Sequence, residues 1–219
     1  MKDNNIYSKT FIWLGIGLLI TFIIGYGVNF LAEHNEQIAN LLFQKPSLLI
    51  VLLAEIIVAI ILSVRITKLS PTGAKILYIL YCCLSGLTFS TIFLQFKLTS
   101  IIIIFLITSV LFVLFAIIGK NLNIDLSKFG TYLLIALIGS VIMLIVNIFL
   151  RSAMLNTILS IVSILIFTLY IGYDIKKIKA LQNTDINEEN IAIYSAFQLY
   201  LDFINIFIRL LELFGDSKD

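Results

Sequence analysis

Long apolar stretches separated by short polar connections run through the whole sequence. A helix needs about 20 mostly apolar residues to cross the hydrocarbon core of a bilayer. The first six stretches that meet this length contain a single charged residue, Glu55, whereas the last contains Asp202, Arg209 and Glu212. The pattern predicts an all-α membrane protein with seven transmembrane helices, at residues 11–31, 48–64, 76–94, 98–119, 129–150, 152–173 and 191–214.

The ends of several stretches carry signals for a helix start. Pro46 and Pro71 stand where the second and third helices begin, and the N–H that proline lacks would be unpaired there in any case. Glu188 and Glu189 place negative charge in the first turn of the last helix, where it complements the helix dipole. The connections are too short for a soluble domain, so we predict one transmembrane domain over residues 1–219.

Composition agrees with a membrane protein and excludes several other classes. Hydrophobic residues make up 60% of the chain and charged residues 13%, whereas soluble domains have about 45–50% and 25%. The net charge of +2 is too small to suggest a nucleic-acid partner. Cys82 and Cys83 are adjacent, and His34 lies in a polar stretch. With no metal-binding or phosphate-binding motif present, we expect no cofactor.

Lysine and arginine positions predict the topology. With the N-terminus in the cytoplasm, most of these residues fall on the cytoplasmic side, and seven crossings leave the C-terminus outside. The first helix follows Lys2 and Lys9 as a signal peptide would, but its apolar core is too long, so we interpret it as a retained anchor. A six-crossing arrangement with a re-entrant last segment stays open.

Asp202 is the first candidate functional residue, because a carboxylate near the bilayer centre costs at least ~2.5–3.5 kcal/mol and usually marks an ion or proton pathway. In the predicted topology Asp174, at the end of the sixth helix, and Arg65, at the end of the second, lie at similar depth. Two aspartates within ~4 Å of each other would share one proton, and Arg65 could bind either carboxylate. We therefore predict a pH-responsive latch.

A second charged pair is predicted nearer the outer side. Arg209 follows Asp202 by seven residues, so both project from one face of the last helix. Glu55 precedes Arg65 by ten residues and could pair with Arg209, a contact that is more structural than functional. Structural interpretations of the aspartates also stay open. Asp174 could be an interfacial acid, and Asp202 with Asn205 a polar contact between helices.

The sequence around these residues resembles the transmembrane Bax inhibitor motif family, in its bacterial branch. The strongest match is the segment 199–215, which reads LYLDFINIFIRLLELFG, and Ile171-Gly172-Tyr173-Asp174 is similar to the tyrosine–aspartate of that family. Segments 70–72, 86–88 and 108–119 also resemble it, so the resemblance covers essentially the whole chain.

The resemblance implies two three-helix layers around a central C-terminal helix in a bacterial cytoplasmic membrane. It also implies a pH-sensitive cation leak, chiefly of Ca²⁺, controlled by a di-aspartyl pair. These aspartates would be Asp174 and Asp202, with Arg65 as the latch arginine, whereas Glu55 and Arg209 match the family's outer pair only approximately. Two carboxylates cannot supply the six to eight oxygens of a tight calcium site, so Asp174 and Asp202 would bind Ca²⁺ weakly and transiently.

Two other functions compete with a leak channel. The chain could be a non-conducting membrane protein that regulates a partner, for example a quality-control protease. It could also be an intramembrane aspartyl protease, but it has Leu199-Tyr200-Leu201-Asp202 where those enzymes carry Gly-x-Gly-Asp, and it lacks their Pro-Ala-Leu element. We therefore predict that it is not an enzyme, and that it acts as a monomer whose partners are the lipid bilayer, Ca²⁺ and protons.

Overall fold

The computed structural model describes residues 2–121 and 125–218, apart from the side chains of residues 2–4, 67, 126 and 127. The described residues fold almost entirely into helices, which confirms the all-α prediction. The helices are α1 (Lys2–His34), α2 (Glu36–Phe43), α3 (Lys45–Arg65), α4 (Pro71–Gln95), α5 (Leu98–Asn121), α6 (Leu126–Leu150), α7 (Ala153–Leu181) and α8 (Glu188–Phe214), with a 3₁₀ turn at Ile66–Lys68 between α3 and α4.

Seven of these helices, all except α2, are long and apolar enough to cross a membrane, within the part of the chain that the structure describes. Each contains one of the predicted segments almost completely, so the prediction of seven spans is confirmed and the chain is a membrane protein. The short helix α2 was not predicted, because its eight residues are too few to register as a span. Asn35 caps it, accepting hydrogen bonds from the N–H groups of Gln37 and Ile38.

The prediction that Asp174 ends the sixth helix is wrong, because α7 continues to Leu181. Hydropathy measures where apolar residues stop, whereas a helix continues through residues that favour it. Lys176, Lys177 and Lys179 are good helix formers, and cations are favourable near a helix C-terminus. Asp174 therefore lies inside α7, seven residues before its end, where the helix backbone fixes its position.

Helix α4 begins as its sequence predicts. Pro71 is its first residue, and the Oγ of Ser70 accepts a hydrogen bond from the N–H of Gly73 at 3.1 Å. This bond satisfies one of the N–H groups that a helix N-terminus leaves without a partner.

Replacing Ser70 by alanine should lower the free energy of unfolding by about 1 kcal/mol, because the cap is lost while the backbone is unchanged. Thermal unfolding in detergent measures this effect. Ser70→Asp should restore the stability, since an aspartate oxygen can accept the same hydrogen bond. A Ser70→Asp protein as unstable as Ser70→Ala would contradict the capping role.

The chain forms two compact units, and α8 contributes to both. Unit 1 comprises Met1–Leu98, Leu181–Tyr200 and Ser217–Asp219, and unit 2 comprises Thr99–Ala180 and Leu201–Asp216. Each unit therefore holds three of the long helices and about half of α8. In the most apolar part of α8, 72% of the residues are buried, against 11–44% in the corresponding parts of the other spans. The single domain 1–219 stays a prediction.

Polar contacts fix the first half of α8 within unit 1. The side-chain amide of Asn190, only 1% exposed, donates to the carbonyl oxygens of Ile66 and Leu69 at 2.8 and 2.7 Å. Glu189 lies 2.9 Å from the ammonium group of Lys75 and accepts a hydrogen bond from Trp13. These contacts connect the start of α8 to α1, to α4 and to the turn after α3.

Candidate functional site

Asp174 of α7 and Asp202 of α8 lie together in unit 2, as the sequence predicts. Each side chain is only 4% exposed. Their carboxyl groups are hydrogen bonded to each other. Such a bond can form only when one carboxyl group carries a proton, because a carboxylate accepts but does not donate. This arrangement would suit a pair of carboxyl groups that share one proton; the sharing and the roles of both aspartates stay predictions.

Apolar residues close to Asp174 and Asp202 along the two helices are also buried. Ile171 and Ile178 lie three residues before and four residues after Asp174, on one face of α7, and both are fully buried. On α8, Phe203 and Ile206 next to Asp202 are 2% and 0% exposed. The second oxygen of Asp202, Oδ2, is buried without a hydrogen-bond partner among the described residues. An unpaired oxygen in such surroundings is costly, which raises the energetic importance of the shared proton.

Close approach of α5 to α7 holds the turn that carries Asp174. A Cβ atom on Gly119 would lie 2.3 Å from the Cα of Gly172 and 2.8 Å from its carbonyl oxygen, so only glycine fits. On the other side, a Cβ on Gly130 would lie 2.7 Å from the hydroxyl of Tyr173. Gly172 and Tyr173, the two residues before Asp174, are therefore packed against Gly119 and Gly130. This packing leaves the turn of α7 that carries Asp174 little freedom to move.

Two polar residues of α7 influence the charge of the pair. Lys177, one turn after Asp174, interacts electrostatically with its carboxyl group, and its ammonium group also lies 5.7 Å from the centre of the Tyr173 ring. Tyr170, one turn before Asp174, interacts electrostatically with both aspartates. A positive charge close to the pair would matter most when both carboxyl groups are ionised.

The other predicted residues have their own surroundings. Arg65 is exposed and ends α3 in unit 1. Glu55, also in unit 1, accepts a hydrogen bond from the hydroxyl of Thr88 at 2.7 Å. In unit 2 the guanidinium of Arg209 lies 2.7 Å from the carboxylate of Glu212. The latch role of Arg65 and the pairing of Glu55 with Arg209 stay predictions.

Sequence reasoning did not assign a partner role to Glu212, although a signal was present. Arg209 and Glu212 are three residues apart, a spacing that brings opposite charges together on a helix. Thr88 has no such signal, because hydroxyl residues are common in membrane helices. Within the described residues, no group of three or more histidine, cysteine, aspartate or glutamate side chains is arranged to hold a metal ion.

Comparisons with known proteins identify relatives over nearly the whole chain. The model of the Bax1-I family, described as "Inhibitor of apoptosis-promoting Bax1", matches residues 3–219. The chain is 35% identical over 217 residues to the inner membrane protein YbhL of Escherichia coli K12, covering 96% of this chain and 91% of YbhL. It is 33% identical over 221 residues to an uncharacterized protein of Borreliella burgdorferi, covering 99% and 94%. An uncharacterized membrane protein of Streptococcus pyogenes serotype M3 is 30% identical over 216 residues, covering 97% and 93%.

Proposed function

Because this chain belongs to the Bax1-I family, we propose that it is a pH-dependent cation leak, chiefly for Ca²⁺, in a bacterial inner membrane. The location rests on the seven long apolar helices of the described residues and on the similarity to an inner membrane protein of Escherichia coli. In the proposed orientation the N-terminus is cytoplasmic and the C-terminus lies outside. The protein is proposed to act as a monomer, without enzymatic activity or a resident cofactor.

The observation that carries this proposal is the buried hydrogen bond between the carboxyl groups of Asp174 and Asp202. With one proton shared, the pair attracts and holds α7 to the second half of α8. Without it, two negative charges face each other where water is scarce, and their repulsion favours separation of the helices. Protonation is therefore proposed to favour the closed state, and deprotonation the conducting one.

The same two carboxylates provide a place for the permeant ion once they separate. Calcium binds oxygen ligands, and tight sites supply six to eight of them. Two aspartates alone form a weak site, which suits an ion that must leave as readily as it enters. Arg65 is proposed to bind one of the freed carboxylates, which would stabilise the open state by a charge-assisted hydrogen bond.

Calcium flux into liposomes tests the proposal. The purified protein is reconstituted around a Ca²⁺-sensitive dye, and influx is measured between pH 5 and 8. Wild-type flux is expected to rise about tenfold over this range, the change that about 1.4 kcal/mol produces in a gating equilibrium. Asp202→Asn and Asp174→Asn should give low flux that does not vary with pH, because the amide donates permanently the hydrogen bond that the shared proton provides.

Asp185→Asn is the matched control, since it makes the same chemical change at an exposed loop position. It should keep the wild-type profile. If Asp174→Asn and Asp202→Asn also keep that profile, the di-aspartyl switch is wrong. If no protein conducts Ca²⁺ above the rate of empty liposomes, the leak function itself is wrong, and a non-conducting regulatory role becomes the better explanation.

A further inference from the structure

The second half of α8 carries a polar stripe that extends well beyond the aspartate pair. Asp202, Asn205, Arg209 and Glu212 follow one another at spacings of three, four and three residues. Side chains at these spacings lie on one face of a helix. Ten residues of helix separate the first from the last, which places Glu212 about 15 Å along the axis from Asp202. Unit 2 therefore has polar groups at a second depth along α8.

Helix α7 also carries buried polar residues, and two of them, Ser160 and Asp174, contact this stripe. Ser160 and Ser163 are 0% and 2% exposed, and together with Asp174 they are polar residues buried on a mainly apolar helix. The hydroxyl of Ser160 donates to Oε2 of Glu212 at 3.2 Å. Contacts at both ends, Asp174 to Asp202 and Ser160 to Glu212, show that α7 and α8 run antiparallel. We call this line of polar groups the α7/α8 seam, defined by Ser160, Ser163, Asp174, Asp202, Asn205, Arg209 and Glu212.

An arginine occupies the end of the seam that lies away from the aspartates. The Nη1 of Arg209 donates to Oε2 of Glu212 at 2.7 Å, the same oxygen that accepts the bond from Ser160. The side chains of Arg209 and Glu212 are 17% and 33% exposed, so the carboxylate is neither fully buried nor free in solvent. A carboxylate and a hydroxyl are the ligand types that a hard cation such as Ca²⁺ prefers. In this structure the cation beside the Glu212 carboxylate is the guanidinium group of Arg209.

We propose that Glu212 and Ser160 form a second cation position on the α7/α8 seam, and that Arg209 is a tethered competitor which occupies it at rest. This inference rests on the proposed cation leak and names a regulatory element within it. A permeating Ca²⁺ must displace the guanidinium from Glu212 before it can move along the seam toward Asp174 and Asp202. Arg209 therefore limits the flux, and Glu212 provides the attraction that draws the ion in.

Variants that remove the charge of Arg209 or of Glu212 separate the role of competitor from the role of cation ligand. In Arg209→Gln the competitor is removed, so Ca²⁺ flux in liposomes should rise about threefold, in line with the modest energies of partly exposed ion pairs. In Glu212→Gln the flux should fall below that of the wild type. The double variant should resemble Glu212→Gln, because removing the competitor has no effect once the carboxylate is absent. Arg209→Lys keeps the positive charge and should resemble the wild type.

A binding measurement tests the site without any need for conduction. The detergent-solubilised protein is unfolded thermally with CaCl₂ or with choline chloride at the same ionic strength. Ca²⁺ should raise the midpoint temperature of Arg209→Gln more than that of the wild type, and this gain should vanish in the double variant. Arg151→Gln, which removes a charge at an exposed position of unit 2, should behave as the wild type in both assays.

The two assays distinguish this proposal from the one on which it rests. If the Ca²⁺ flux keeps its pH profile but changes by the same factor in Arg209→Gln and Arg151→Gln, the second cation position is wrong and the proposed leak function is not affected. A double variant that conducts like Arg209→Gln would also overturn it. A Ca²⁺-dependent gain in the stability of Arg209→Gln would support the site even if no flux were found. If Arg209→Gln does not fold, a Glu212→Gln protein with wild-type flux would overturn the proposal.

Discussion

Replacing Gly119 by alanine is expected to lower the free energy of unfolding by about 1–3 kcal/mol, the usual range for inserting atoms into a packed interior. The new Cβ would lie 2.3 Å from the Cα of Gly172 and 2.8 Å from its carbonyl oxygen. Both are backbone atoms, so a side-chain rotation cannot relieve the contact. The two helices must move apart, and since Gly172 is two residues from Asp174, we also expect the aspartate pair to shift.

Gly139→Ala is the matched control for this variant. Gly139 lies on α6, also within unit 2, and apart from its own helix turn no described atom would lie within 4 Å of an added Cβ. Alanine favours helix over glycine by about 0.8–1.0 kcal/mol, so this variant should be as stable as the wild type or more stable. Thermal unfolding of both proteins in detergent makes the comparison. Equal midpoint temperatures would show that α5 and α7 do not approach each other as closely as the structure indicates.

The aspartate pair was predictable from the sequence because the cost of charge in a membrane restricts where carboxylates occur. Asp202 stands out in an apolar segment, and the positive-inside pattern brings Asp174 to a similar depth. The same reasoning predicted Glu55 as the partner of Arg209, a pairing that stays a prediction. Depth suggested Glu55, whereas helical spacing favours Glu212, the partner that the structure gives Arg209. Depth along the membrane does not determine which helix faces meet.

Helix contacts carried by small residues could not be predicted at all. Gly119 and Gly172 are 53 residues apart in the sequence, and neither has a side chain whose chemistry selects a partner. The sequence also does not indicate the partner of Ser160, because a serine in a membrane helix usually forms a hydrogen bond with the backbone of its own helix. Apolar patterning is sufficient to predict the seven membrane-spanning helices. The contacts that position Asp174 and Glu212 depend on how the surfaces of these helices fit together once they pack.

If Asp174 and Asp202 share one proton, as proposed above, the stability of the protein should fall as the pH rises from 5 to 8, because the folded state would hold a proton that the unfolded chain does not. The carboxyl groups of Asp174 and Asp202 are hydrogen bonded to each other, which requires one shared proton. Aspartates of an unfolded chain are ionised above about pH 5. Folding therefore takes up one proton, and while it does so the free energy of unfolding decreases by about 1.4 kcal/mol per pH unit.

Asp202→Asn isolates this contribution, since the amide replaces the shared proton with a permanent donor, and titrating groups outside the aspartate pair are unchanged. The difference in midpoint temperature between the wild type and Asp202→Asn should therefore be largest at the alkaline end of the range, with the variant the more stable protein there. Asp185→Asn should follow the wild type at each pH. A wild type that gains stability relative to Asp202→Asn as the pH rises would mean that both aspartates are already ionised in the fold, and no shared proton could then hold α7 against α8.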